Sequence, residues 1–166
     1  MQKKTVGELL SKFHHVGMVV RNIDQAVECF QGLGLGPFGS SNLIHVNRKM
    51  DGQPVAGDAK VIARTATMGP IAIELLQPVS GKSNAQKWLE SHGEGISHLA
   101  FIVDGIEEAK NIMVEKGFTI IYSSDNEGGG GMAFFSSDKV GGIIIEMEQL
   151  PPHLDKDPYW GFKPWD

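Results

Sequence analysis

The chain states one pattern twice. The run His15-Val16-Gly17-Met18-Val19-Val20, followed by Arg21-Asn22-Ile23-Asp24-Gln25-Ala26, returns 83 positions later as His98-Leu99-Ala100-Phe101-Ile102-Val103 and Asp104-Gly105-Ile106-Glu107-Glu108-Ala109. A second run, Ile71-Ala72-Ile73-Glu74-Leu75-Leu76-Gln77-Pro78, returns 72 positions later as Ile143-Ile144-Ile145-Glu146-Met147-Glu148-Gln149-Leu150. The first echo keeps a histidine at its head and the second keeps a glutamate. If each half is one module, each supplies a His from its first strand and a Glu from its last. Two modules facing each other then bring together His15, Glu74, His98 and Glu146, which is a metal-ligand set. Duplication alone would repeat the apolar positions, but a His and a Glu among Val, Ile and Leu are costly to keep buried without a partner.

Local patterning gives each half the order βαβββ. In the first, 15–20 reads as a strand and Asn22 as the N-cap of a helix. The apolar residues of that helix, Ile23, Ala26, Val27 and Phe30, fall at i, i+3, i+4 and i+7. Gly32, Gly34 and Gly36 end it. Strands are expected over 43–46 and 59–67, separated by a polar loop over 47–58, and over 71–76. The second half repeats this with a strand over 97–103, a helix over 106–116 with Ile106, Ala109 and Met113 inward, and strands over 119–122, 132–135 and 143–147. A linking helix over 83–91 presents Ala85, Trp88 and Leu89, and Gly93-Glu94-Gly95 breaks the chain after it. The expectation is one α+β domain over 1–166. It comprises module one (13–78), the linking helix, module two (96–149) and a C-terminal tail (150–166).

Strand alternation places Glu74 on one face with Ala72 and Leu76, opposite Ile71, Ile73 and Leu75. If the apolar face packs on the helix, Glu74 is left for the concave side. His15 shares a face with Gly17 and Val19, and His14 lies on the other. His45, His92 and His153 have no repeat partner and are expected at the surface.

Composition narrows the partners. The chain has 166 residues, 41% of them hydrophobic and 21% charged, which fits an ordinary globular protein. A net charge of −5, with 15 Lys and Arg scattered along the chain, argues against a nucleic-acid or anionic-membrane surface. A small-molecule partner fits better. No stretch reaches the ~20 apolar residues of a membrane span, and the first residues lack the apolar run of a signal peptide. With a single cysteine, Cys29, the chain forms no internal disulfide, and a cytoplasmic location is expected. Cys29 itself is expected to be a buried small hydrophobe.

Two tandem βαβββ modules with a metal between them resemble the vicinal oxygen chelate (glyoxalase/bleomycin resistance/dioxygenase) superfamily, over roughly 13–149. His and Glu donors without a thiolate favour a divalent ion such as Co, Ni, Mn, Zn or Fe(II), and four protein ligands leave two octahedral positions open. Within the superfamily the sequence is most similar to the methylmalonyl-CoA epimerase family. The similarity is carried by Glu74-Leu75-Leu76-Gln77-Pro78, Lys87-Trp88-Leu89, His92-Gly93-Glu94-Gly95-Ile96-Ser97-His98-Leu99-Ala100-Phe101 and Val103-Asp104-Gly105-Ile106. The glycine loop 128–131, Ala133-Phe134-Phe135 and Gly141-Gly142-Ile143-Ile144-Ile145-Glu146 extend it.

The resemblance implies that His15, Glu74, His98 and Glu146 ligate the metal and that the reaction interconverts (R)- and (S)-methylmalonyl-CoA. A base removes the α-proton and the metal holds the enolate oxygen. Glu146 is the candidate for one proton-transfer group. A homodimer is the expected assembly.

The chain also departs from the family pattern. Some epimerases carry a second carboxylate on the third strand of the first module; here that segment, 59–64, offers none, and Lys60 is nearest the position. Ser97 stands where the family often has a His, and Ser136-Ser137-Asp138-Lys139 replaces a common His-Pro-Lys. The tail aromatics Tyr159, Trp160, Phe162 and Trp165 lie beyond the pattern and are expected to pack on the body or on a second subunit. A glyoxalase I-like lactoylglutathione lyase shares the same ligand order and is the main enzymatic rival. A ring-cleaving Fe(II) dioxygenase fits less well, because such sites use two His and one carboxylate. A metal-free small-molecule-binding protein of the same fold would be expected to have apolar residues at some ligand positions.

Overall fold

The computed structural model describes residues 4–40, 43–55, 57–136, 141–154 and 157. The tail aromatics and the stretch 137–139 lie outside them. A single curled sheet of nine strands runs through both halves in the order β3-β2-β7-β8-β9-β6-β1-β5-β4. The first half contributes β1 (Phe13–Val19), α2 (Ile23–Gly32), β2 (His45–Met50), the short β3 (Gln53–Pro54), β4 (Lys60–Met68) and β5 (Ile71–Ser80). The second contributes β6 (Gly95–Ile102), α4 (Ile106–Glu115), β7 (Thr119–Asn126), β8 (Gly131–Ser136) and β9 (Ile144–Gln149). The linking helix is α3 (Asn84–His92), capped by the Ser83 side chain, which accepts from the Gln86 N–H.

The halves meet where β1 and β6 pair antiparallel, with Gly17 opposite His98 and Val16 opposite Leu99. Each first strand also pairs parallel with the last strand of its own half, β1 with β5 and β6 with β9. The four strands that carry the repeated His and Glu residues are therefore adjacent at the middle of the sheet. At both junctions the same bond locks the helix to the strand. Gln77 Oε1 accepts from the Ile23 N–H at 2.8 Å, and Gln149 Oε1 accepts from the Ile106 N–H at 3.0 Å. The glutamine three residues beyond each repeated glutamate thus takes one of the unsatisfied donors of the helix in its own half.

Each helix covers its own half of the convex face. Ile23, with Ala26, Val27 and Phe30, packs on Ile73 and Leu75, while Ile106, Ala109, Ile112 and Met113 pack on Phe135, Ile145 and Met147. The alternation inferred for β5 holds: Ile73 and Leu75 face the helix, and Glu74 and Leu76 line the concave side.

Several elements differ from expectation; β5 and β7, for instance, run on to Ser80 and Asn126. The strand expected over 43–46 runs to Met50, so the predicted polar loop is largely the β2–β3 hairpin. Moreover, β2 leaves its own half to pair with β7, with His45 opposite Asn126. A short helix, α1 (Val6–Leu9), precedes β1; Thr5 caps it through a reciprocal bond with Glu8, and Leu9 joins the α4 cluster. Cys29 is exposed on α2 rather than buried, because the apolar stripe of that helix runs through Ala26, Val27 and Phe30 and leaves position 29 on the flank.

Candidate metal centre

His15, Glu74, His98 and Glu146 converge. One donor atom from each lies within 4.8 Å of all the others, and the residues are 0%, 7%, 1% and 3% exposed. The two imidazole Nε2 atoms are 3.2 Å apart. His15 Nε2 stands 3.5 Å from Glu74 Oε2 and 3.4 Å from Glu146 Oε2, and His98 Nε2 stands 3.5 Å and 3.0 Å from the same two oxygens.

This arrangement fits a cation. Ligand bonds of about 2.0–2.2 Å put neighbouring donors about 3 Å apart. Glu146 Oε2 is buried and faces His98 Nε2 at 3.0 Å and His15 Nε2 at 3.4 Å, the spacing of neighbouring donors around one ion. The electrostatics point the same way. Burial opposes a charge on His15, but Glu146 and Glu74 more than offset it and raise its pKa to about 10. His98 is likewise raised against its burial, chiefly by Glu146, and both carboxylates are held low by the two imidazoles. The two buried carboxylates thus draw positive charge to the centre of the cluster.

Immediate neighbours fix both imidazoles. The His98 Nδ1–H donates to Ser97 Oγ at 3.0 Å, and the Ser97 hydroxyl points at the Gly17 carbonyl at 3.4 Å. In the other half His14 and His15 share a 2.9 Å bond between their Nδ1 atoms. Strand alternation puts His14 opposite His15, but a register shift in β1 between Phe13 and His15 brings the two rings together at 5.2 Å, edge to face. The residue before each repeated histidine thus orients it with Nε2 toward the cluster, an outer-shell role that ligand histidines commonly require. Sequence reasoning assigned no role to His14 or Ser97, although their matched places in the repeat held the signal.

The cluster opens into a cavity of about 540 Å³. Glu74 and Glu146 belong to its wall, together with apolar residues that include Leu43, Ile62, Leu76, Met132 and Phe134. From β4 the wall receives Lys60, Val61, Ile62, Ala63 and Arg64, and no carboxylate. His45, expected at the surface, is half-buried in this wall. Its Nδ1 lies 3.1 Å from both Asn126 Oδ1 and Ser124 Oγ. His92 and His153 are exposed. Two residues beyond Glu146 on β9, Glu148 is fully buried, and its Oε1 accepts from Asn126 Nδ2 at 3.3 Å. Burial, aided by Glu146, pushes its carboxyl well above the ordinary range.

A curled sheet built from repeated βα units, with a buried His/Glu cluster at the junction, defines a glyoxalase-like protein. The chain belongs to the Glyoxalase/Bleomycin resistance protein/Dioxygenase superfamily, whose sequence profile matches residues 14–135. Among curated proteins it is similar to the uncharacterized protein YqjC of Bacillus subtilis (strain 168). The two are 23% identical over 141 residues, covering 83% of this chain and 91% of that one.

Solved structures with the same fold include the methylmalonyl-CoA epimerase of Mycobacterium tuberculosis, at TM-score 0.63 and 22% identity, covering 93% of this chain and 95% of that one. A methylmalonyl-CoA epimerase of Streptomyces coelicolor in complex with 2-nitronate-propionyl-CoA superposes at TM-score 0.62 and 20% identity, covering 84% and 97%. Among the described residues no helix is long and apolar enough to cross a membrane.

Proposed function

We propose that this protein is a metal-dependent isomerase that moves the α-proton of an acyl-CoA thioester, with methylmalonyl-CoA as its substrate. The observation that carries this reading is the double membership of Glu146, which belongs both to the buried cluster and to the wall of the cavity. A divalent ion held by His15, Glu74, His98 and Glu146 would supply positive charge opposite the oxygens of an enolising thioester. The Glu146 carboxylate, in the cavity wall, would take the α-proton of an acyl group seated there. The apolar residues Leu43, Ile62, Leu76, Met132 and Phe134 hold the acyl chain and exclude water. Lys60 and Arg64, on β4, offer positive charge to a substrate carboxylate.

The fold likeness to methylmalonyl-CoA epimerases supports the substrate class. A homodimer in the cytoplasm completes the reading.

The test is exchange of the C2 proton of methylmalonyl-CoA in deuterium oxide, followed by NMR, with cobalt-loaded and EDTA-stripped protein. Fast exchange that depends on metal is the expected result. No exchange by metal-loaded protein overturns the proposal, and turnover of a glutathione hemithioacetal under the same conditions would reassign the site to a glyoxalase-type lyase.

A further inference from the structure

An epimerase needs a proton carrier on each face of the α-carbon, and Glu146 accounts for one. We infer that His45 is the other: its Nε2 takes and returns the proton on the face opposite Glu146. The inference rests on the epimerase reading above.

Topology brings His45 to the site. Because β2 leaves the first half and pairs with β7, it becomes part of the cavity wall, separated from β9 and Glu146 by β7 and β8. The sheet curls around the cavity, so His45 and Glu146 approach its contents from different strands.

Hydrogen bonding then assigns the tautomer. The Asn126 amide is oriented by its Nδ2, which donates to Glu148 Oε1 at 3.3 Å and to the Gln149 carbonyl at 3.2 Å. Its Oδ1 is therefore an acceptor, and the 3.1 Å contact with His45 requires the proton on Nδ1. Ser124 Oγ, at the same distance, is a second acceptor for it. A neutral imidazole with its proton fixed on Nδ1 carries its lone pair on Nε2. This is the form of a general base.

The groups around His45 support this state. Burial pulls its pKa below the ordinary value, Glu146 and Glu74 pull the other way, and Arg48 reinforces the burial. The ring is thus a base at neutral pH, within electrostatic reach of the two carboxylates it would work beside.

Outside the buried cluster, the other titratable groups in the wall fit the role less well. Arg64 is a donor only, and its Nη1 donates to the Ala63 carbonyl at 2.9 Å. Tyr122 is held protonated by burial. Lys60 is exposed at the start of β4.

The pair shares one proton, which rests on His45 because Glu146 is the more acidic group. In one direction, ionised Glu146 takes the α-proton, and the C–H electron pair moves into the thioester carbonyl to form the enolate. The Nε2–H of the His45 imidazolium then delivers its proton to the opposite face of the carbon. The step leaves His45 neutral and Glu146 protonated, and the reverse direction, in which His45 Nε2 takes the α-proton, starts from that state. One proton shared between two groups suffices, and no redox partner or co-reactant is consumed.

The experiment offers each epimer of methylmalonyl-CoA separately, in deuterium oxide, to cobalt-loaded wild-type protein and to H45Q, with cobalt content and circular dichroism recorded for both. Wild type should exchange and interconvert both epimers. H45Q should still exchange one epimer within about fivefold of wild type, while exchange of the other and interconversion fall about 100-fold or more, the scale of a lost acid–base group.

A folded, cobalt-loaded H45Q that interconverts the epimers like wild type, or that loses exchange of both equally, overturns the inference while leaving the proposed function standing. Wild type inert toward both epimers overturns the two together. If H45Q does not fold, H45E, which keeps a proton carrier at the position, takes its place. Interconversion within about tenfold of wild type then supports the assignment, and its absence overturns it.

Discussion

Gly17 lies directly against the imidazole of His98. The two are register partners across the β1–β6 pair, and a Cβ built on Gly17 would overlap the Cε1, Nε2 and Nδ1 atoms of the ring. The backbone of Gly17 needs no unusual conformation; the space is simply occupied by a group of the cluster. Gly17→Ala should therefore evict the ring. Overpacking of this kind costs about 1–3 kcal/mol, which leaves a folded protein, whereas metal affinity should fall about 100-fold or more because a donor has moved. Calorimetric titration with cobalt reads this directly, and wild-type affinity in the variant would contradict the placement of His98.

Ser97→Ala tests the orienting bond itself. Removing Oγ leaves the His98 Nδ1–H without its 3.0 Å acceptor, so the ring can turn and present the wrong nitrogen. The loss expected for an outer-shell partner is about 10–100-fold in metal affinity, with little change in the circular dichroism. Ser97→Thr, which keeps the hydroxyl, should recover most of that affinity. If alanine binds metal as well as serine, the bond is incidental.

What the sequence made legible, and what it did not, follows from how each feature is encoded. The four cluster residues were readable because a duplicated chain writes each ligand strand twice, and polar residues that recur among apolar ones stand out. Helix α2 was readable from Asn22 and the spacing of Ile23, Ala26, Val27 and Phe30, and Asn22 does accept from the Gln25 N–H. The pairing of β2 with β7 was not readable, because local alternation says which face a residue occupies and nothing about which distant strand it joins. His45 was accordingly placed at the surface, since its environment depends wholly on that exchange. The contact of His14 with His15 escaped for a related reason: a register shift in β1 overrides the alternation from which their faces were inferred. Ser97 looked like a departure from a pattern, and only its distance to His98 revealed a substitute for the lost ring.

The paired glutamines make a prediction with a built-in comparison. α2 has two side-chain acceptors at its start, Asn22 and Gln77, whereas the N-cap of α4 is Gly105, which makes no side-chain cap bond, so that Gln149 serves alone. Gln149→Ala should therefore cost about 1–2 kcal/mol of stability and Gln77→Ala about half as much, the scale of losing a helix cap. Urea unfolding of the two variants measures both. Equal losses, or a larger loss at Gln77, would show that the glutamines act through something other than the helix donors.

Removing the metal should reverse the direction in which pH acts on the site. In stripped protein, His15 has its pKa raised from 6.5 to about 10 and His98 is also raised, so their stabilising contribution is complete below pH 6.5 and is lost as pH climbs toward 10. Glu74 and Glu146 have theirs lowered from 4.5, so their contribution is present above that pH and is lost only as pH falls through the depressed values. Glu148, raised well above 4.5, adds its own loss as pH rises past that value, so the stripped protein should be most stable near pH 4.5 and should weaken steadily toward pH 10. Metal binding needs both imidazoles neutral and so expels the protons that steady the empty cluster. Affinity for cobalt should therefore climb over the range in which the stripped protein softens, and the gap in Tm between loaded and stripped samples should widen from pH 6 to pH 9. Calorimetric titration in buffers of different ionisation enthalpy counts the protons released. A stripped protein that grows more stable from pH 6 to pH 9, or binding with no proton release, would mean that the imidazoles of the empty cluster are uncharged.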